Sequence, residues 1–131
     1  MAELTADEKL APDATDWDVP SELSTATGGS PQIVCICGST RFRDDMAEAN
    51  RKFTLAGTIV LAPAVFQHRG DAITTDQKRT LDELHLKKID VADVVFVVDP
   101  GSYIGESTRR EIAYAESKGK PIVRLSSILE S

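Results

Sequence analysis

From Gln32 onward the apolar positions follow two alternating rhythms. Ile33-Val34-Cys35-Ile36-Cys37 is a continuous, largely β-branched run halted by Gly38, the pattern of a strand buried on both faces. Between Arg41 and Ala56, Phe42, Met46, Ala49 and Phe53 recur at steps of four, three and four, which predicts one buried face of a helix stopped by Gly57. Thr58 to Leu61 reads as a second strand closed by Pro63. A polar loop with His68, Arg69, Gly70 and Asp71 follows, then a charged helix from about Thr75 to Ala92 with Leu81, Leu84 and Ile89 inward. Val94 to Val98 is the most apolar strand and is broken by Asp99-Pro100-Gly101. A third helix is predicted from Ser107 to about Lys118, stopped by Gly119, and a fourth strand from Pro121 to Leu125.

Near-continuous apolar strands alternating with helices predict an α/β fold, Rossmann-like or flavodoxin-like, with a parallel sheet covered on both faces. Right-handed crossovers and one reversal of direction give the strand order 2-1-3-4. Ligands of such sheets bind at the carboxyl ends of the strands, where the order reverses. Two loops are therefore singled out, Gly38 to Arg41 after the first strand and Asp99 to Thr108 after the third.

Composition separates the first 31 residues from the rest. The 131-residue chain holds 15 Lys and Arg against 21 Asp and Glu. Glu3, Asp7, Glu8, Asp13, Asp16, Asp18 and Glu22 fall in residues 1–31 with Lys9 as the sole base, so residues 32–131 are electrically balanced. With three prolines and the run Ser-Thr-Ala-Thr-Gly-Gly-Ser, this acidic stretch is expected to be a disordered or loosely docked arm. An acidic arm before a balanced domain offers no basic stripe, which argues against a nucleic-acid binder. No apolar run reaches the roughly 20 residues of a membrane span, and the amino terminus is too polar for a signal peptide, so a soluble cytoplasmic protein is expected, with no membrane partner. Cys35 and Cys37 stand too close along a strand for an unstrained mutual disulfide. With only His68 and His85 to join them, no metal site is expected.

The first loop joins a glycine turn, the hydroxyls of Ser39 and Thr40 and the guanidinium of Arg41 at a helix start, parts that suit a phosphate. They equally describe an N-cap followed by a solvated arginine. It matches neither the P-loop nor the Gly-x-Gly-x-x-Gly pattern. In the second, Thr108 and Glu111 have the spacing of a capping box, and local sequence favours that structural role for Glu111. Its place at the switch point favours a carboxylate facing a bound sugar.

Taken together, Cys37-Gly38-Ser39-Thr40-Arg41, Ala92 to Val98, Glu111-Ile112-Ala113-Tyr114-Ala115 and Gly119-Lys120-Pro121-Ile122-Val123 resemble the nucleoside 2-deoxyribosyltransferase superfamily across residues 32–125. The Cys-Gly-Ser-x-Arg opening is most similar to the 2'-deoxynucleoside 5'-phosphate N-hydrolase branch. The resemblance implies cleavage of an N-glycosidic bond, with Glu111 attacking the anomeric carbon and Gly38, Ser39 and Arg41 holding a 5'-phosphate. It departs where the family places an aspartate, here His85, where the hydrolase branch places a tyrosine, here Cys35, and at Gly105, beside Glu106, where an acidic or hydroxyl residue is usual.

An ionised carboxylate stabilises or traps the oxocarbenium-like state of glycosidic cleavage, so the chemistry stands without the family name. His85 is the candidate acid or sugar-orienting group; its alternative is a helix histidine satisfied near Asp82. Asp99, Tyr103, Gly105, Glu106, Ser107 and Thr108 line the second loop as candidate substrate contacts, with Tyr103 stacking on a base or packing the loop, and Asp99 binding a sugar hydroxyl or capping a turn. His68 is read as a surface residue, and one of Arg109 and Arg110 as solvated. The expected activity is hydrolysis or base exchange on a small nucleoside or nucleotide, without metal or redox cofactor, by a homo-oligomer. A non-catalytic nucleotide-binding sensor of the same fold is the alternative.

Overall fold

The computed structural model describes residues 15–24, 31–63 and 72–130. Strands β1 (Ile33–Gly38), β2 (Ile59–Leu61), β3 (Val94–Val98) and β4 (Ile122–Arg124) form one parallel sheet in the order β2-β1-β3-β4. Helices α1 (Arg43–Leu55), α2 (Thr75–Val91) and α3 (Glu106–Ser117) make the crossovers, and a short α4 (Leu125–Leu129) follows β4. This is the Rossmann/flavodoxin-like architecture expected from the apolar runs. Among the described residues no helix is long and apolar enough to cross a membrane. The polar loop with His68, Arg69, Gly70 and Asp71 lies outside the described residues.

Strand periodicity divides the core into two faces. Val34 and Ile36 of β1, with Val94, Phe96 and Val98 of β3, pack against Met46, Ala49 and Phe53 of α1 and Leu125 of α4. The intervening residues Cys35, Cys37, Val95 and Val97 face Ile89 of α2 and Ala115 of α3. Because side chains two apart share a face of a strand, both cysteines sit under α2 and α3. At Gly38 an added Cβ would lie 3.0 Å from Met46 Sδ and 3.1 Å from the Val98 carbonyl oxygen, so the end of β1 approaches β3 as only glycine allows.

Four expectations are corrected. Residues 15–24 belong to the domain rather than to a loose arm: Trp17 is buried, stacks on Phe96 at 5.2 Å and meets Phe53 at 6.1 Å, while Leu23 is buried beside them. Lys52 Nζ donates to the carbonyls of Thr15 and Trp17, and Thr58 Oγ1 donates to the Leu23 carbonyl. Average composition hid the two apolar anchors in an acidic stretch. On α2, the inward stripe runs through Leu81, His85 and Ile89 in steps of four, and Leu84 is 44% exposed. A histidine takes the position that residue type had assigned to a leucine. The first helix opens with a 3-10 turn at Thr40–Phe42 and turns α-helical only at Arg43. Finally, β4 ends at Arg124, and Leu125 starts α4 instead of ending the strand.

Candidate functional site

Helices that cross back over a parallel sheet run antiparallel to its strands, so their first turns lie at the strands' carboxyl ends. His85 stands four residues before Ile89 and Glu111 four before Ala115, one turn above the two buried anchors of α2 and α3. That places both side chains over the end of β1. Tyr114 Oη donates to Asp90 Oδ1 at 2.7 Å, and Lys120 Nζ donates to the carbonyls of Asp90 and Ala92, tying α3 and the turn after it to the end of α2.

A cavity of about 680 Å³ opens at this end of the sheet. Gly38, Ser39 and Thr40 form one wall, Gly105, Glu106, Ser107, Thr108 and Glu111 another, and the first turns of α2 a third. The two loops singled out by topology thus meet at one site, where an added Cβ on Gly105 would lie 3.9 Å from Ser39 Cβ.

Glu111 does not cap its helix. The N-cap of α3 is Gly105, without a side-chain hydrogen bond, and the capping box expected from Thr108 and Glu111 is absent because the helix starts at Glu106 and buries Thr108. The Glu111 side chain is 18% exposed, and its Oε1 lies 3.7 Å from His85 Nε2. Burial pushes its carboxyl above the ordinary carboxylate range, opposed by His85 and reinforced by Cys35 and Asp82.

His85 is buried and sits behind Glu111 rather than on the cavity wall. It is not held by Asp82, whose partner is Lys78 Nζ at 3.1 Å. Instead Nε2 lies 3.2 Å from Cys37 Sγ and 3.9 Å from Cys35 Sγ, while Nδ1 has no hydrogen-bond partner among the described residues. Burial alone would lower its pKa, yet the Cys35 hydrogen bond and the Glu111 charge outweigh burial and raise it. The thiols diverge: the hydrogen bond from Cys37 holds Cys35 down to about 6 against burial, with His85 assisting. The same contact, together with burial, pushes Cys37 well above the usual thiol range. The strand spacing of the cysteines was legible; their meeting with a histidine 50 and 48 residues away was not, and it brings three possible metal donors, two thiols and an imidazole, within 4.8 Å of one another.

Three expected substrate contacts are placed otherwise. Asp99 is fully buried, where its carboxylate accepts from Ser126 N and Oγ, both at 2.8 Å, and lies 3.5 Å from Arg124 Nε. It fastens β3 to the start of α4. Arg41 lies over the Tyr103 ring at 4.0 Å, and Tyr103 meets Phe42 edge-on at 5.8 Å, so the pair clasps the two loops together outside the cavity. Ser39 caps the helix start, its Oγ accepting from Arg41 N at 3.3 Å, and the residue also lines the cavity. Arg110 pairs with Glu106 at 3.9 Å, and Arg109 is exposed. His68 lies outside the described residues.

Arg43, Lys78 and Asp82 on the wall were not foreseen. The 3-10 turn changes the phase of the helix start and brings Arg43 in place of Arg41; Lys78 and Asp82 read as surface charges, and nothing in their own sequence marks them. No family model and no curated protein matches this chain.

Proposed function

We propose that the chain cleaves the N-glycosidic bond of a nucleoside or deoxynucleoside, or of its 5'-monophosphate, with Glu111 as the nucleophile. The observation that carries the reading is the half-buried Glu111 carboxylate, which faces the cavity at the switch point with an imidazole behind it and no helix amide to cap. The motif resemblance to nucleoside 2-deoxyribosyltransferases supports the same assignment.

Ser39, Thr40 and Arg43 offer hydroxyls and a guanidinium to an anionic group at the end of β1, and Lys78 adds a cation from α2. A 5'-phosphate held there directs the sugar toward Glu111. A Glu111 oxygen then bonds to C1' as the C1'–N bond breaks, its electron pair leaving with the base, which takes a proton. In the second half, water adds to C1' and the Glu111–sugar bond breaks; a second base entering instead of water gives exchange. His85 acts through Glu111: its position behind the carboxylate makes it a positioning residue that steadies negative charge, not the group that meets the leaving base. Of the other two carboxylates on the wall, Asp82 and Glu106, Asp82 is the candidate proton carrier to the base.

Incubation with a panel of nucleosides, deoxynucleosides and their 5'-monophosphates, followed by chromatography for free base, tests this reading. Release by the native chain and its loss in Glu111→Gln are expected. Saturable binding without release from any compound contradicts it and favours the sensor.

A further inference from the structure

Three electron-rich groups converge on one nitrogen beneath the cavity. Cys37 Sγ, Cys35 Sγ and Glu111 Oε1 stand 3.2, 3.9 and 3.7 Å from His85 Nε2. An imidazole nitrogen carries a single proton, so it cannot satisfy three such partners at once. A cation at their centre can. A tetrahedral ion with bonds of about 2.0–2.3 Å has donor-to-donor edges of roughly 3.3–3.8 Å, close to the spacing found here. The three sulfur and nitrogen donors lie within 4.8 Å of one another and are all buried.

We propose that Cys35, Cys37 and His85, with Glu111 as the fourth donor, bind a thiophilic divalent metal ion of the zinc class. Two thiolates and an imidazole select such an ion over magnesium or calcium, which require oxygen ligands. The site is built by the fold: β1 supplies both sulfurs on one face, and α2 and α3 each lower one donor onto them. Glu111 is the only one of the four that also lines the cavity, so the ion arrives past its carboxylate. An ion held by Glu111 withdraws that carboxylate from any substrate, and the loaded chain is the inactive form of the proposed enzyme.

The test uses the reduced full-length chain and does not depend on the reaction. Titration with cadmium, the spectroscopic stand-in for zinc, should give a thiolate-to-metal charge-transfer band that saturates at one equivalent and is displaced by zinc. Zinc should also raise the thermal midpoint, because an ion that binds the folded state stabilises it. Circular dichroism confirms folding of the variants. His85→Ala should weaken binding by at least about 100-fold, beyond the roughly 10- to 100-fold typical of outer-shell partners. No band at one equivalent overturns the proposal. So does a band accompanied by a lowered midpoint, which means that the thiols bind metal only in the unfolded chain, or an affinity unchanged in a folded His85→Ala.

Discussion

Glu111 illustrates how position overrides local pattern. Three residues after a threonine at a helix start, it has the spacing of a cap; one helical turn before buried Ala115, it has the placement of a site residue, and packing decides. Its carboxyl is raised above its unfolded value chiefly by burial, so its contribution to stability is complete below the ordinary carboxylate range and lost as pH rises through the folded value. Glu111→Gln should therefore melt higher than the native chain at neutral pH in the presence of chelator, while catalysis falls by roughly 10³-fold or more and nucleotide binding persists. A native chain that melts higher than the variant there contradicts this account of the carboxyl. The same shift places the acidic limb of kcat/KM above the ordinary carboxylate range. Because the His85 charge holds Glu111 down, His85→Asn should move that limb to higher pH, a displacement that loss of packing alone does not produce.

Among the elements, the end of β1 is the most constrained. Gly38→Ala brings a methyl group to 3.0 Å from Met46 and 3.1 Å from backbone oxygen of β3, and should cost about 1–3 kcal/mol in chemical denaturation. The helices divide the site between them: α2 and α3 hold His85 and Glu111 above their anchors, and α1 brings Arg43 to the cavity wall from its first turn. Lys78→Ala is expected to raise KM for a 5'-monophosphate about 10-fold while leaving that of the free nucleoside nearly unchanged, a split readable from initial rates. The elements and their order were legible because parallel strands buried on both faces leave unmistakable apolar runs. The switch-point rule then named both site loops before any side chain was placed. What could not be read was phase: a 3-10 turn exchanges Arg41 for Arg43, and a start at Glu106 dissolves the capping box. Nor does a sequence reveal that Asp99, an apparent loop residue, is buried beneath α4.

Across the whole molecule, the acidic stretch before β1 is partly integral to the fold. Trp17 closes the α1 face of the sheet against Phe53 and Phe96, with Lys52 over its ring at 4.5 Å. Trp17→Ala should destabilise the chain by about 3–5 kcal/mol, far more than any acidic substitution in the same stretch. The two faces of the sheet thus differ: one holds an aromatic core that fixes β1 and β3, and the other buries sulfur and imidazole beneath the partly exposed Glu111 carboxylate. Burying such groups costs free energy unless they are paired, and here they are concentrated beneath a cavity, the arrangement on which the proposed function rests.

The central claim, a covalent bond between Glu111 and C1', is tested most directly by acid-quenching the chelator-treated chain during turnover of a deoxynucleoside 5'-monophosphate and mapping the labelled peptide by mass spectrometry. A deoxyribosyl phosphate on Glu111 is predicted. An adduct on another residue, or turnover undiminished in Glu111→Gln, contradicts the account.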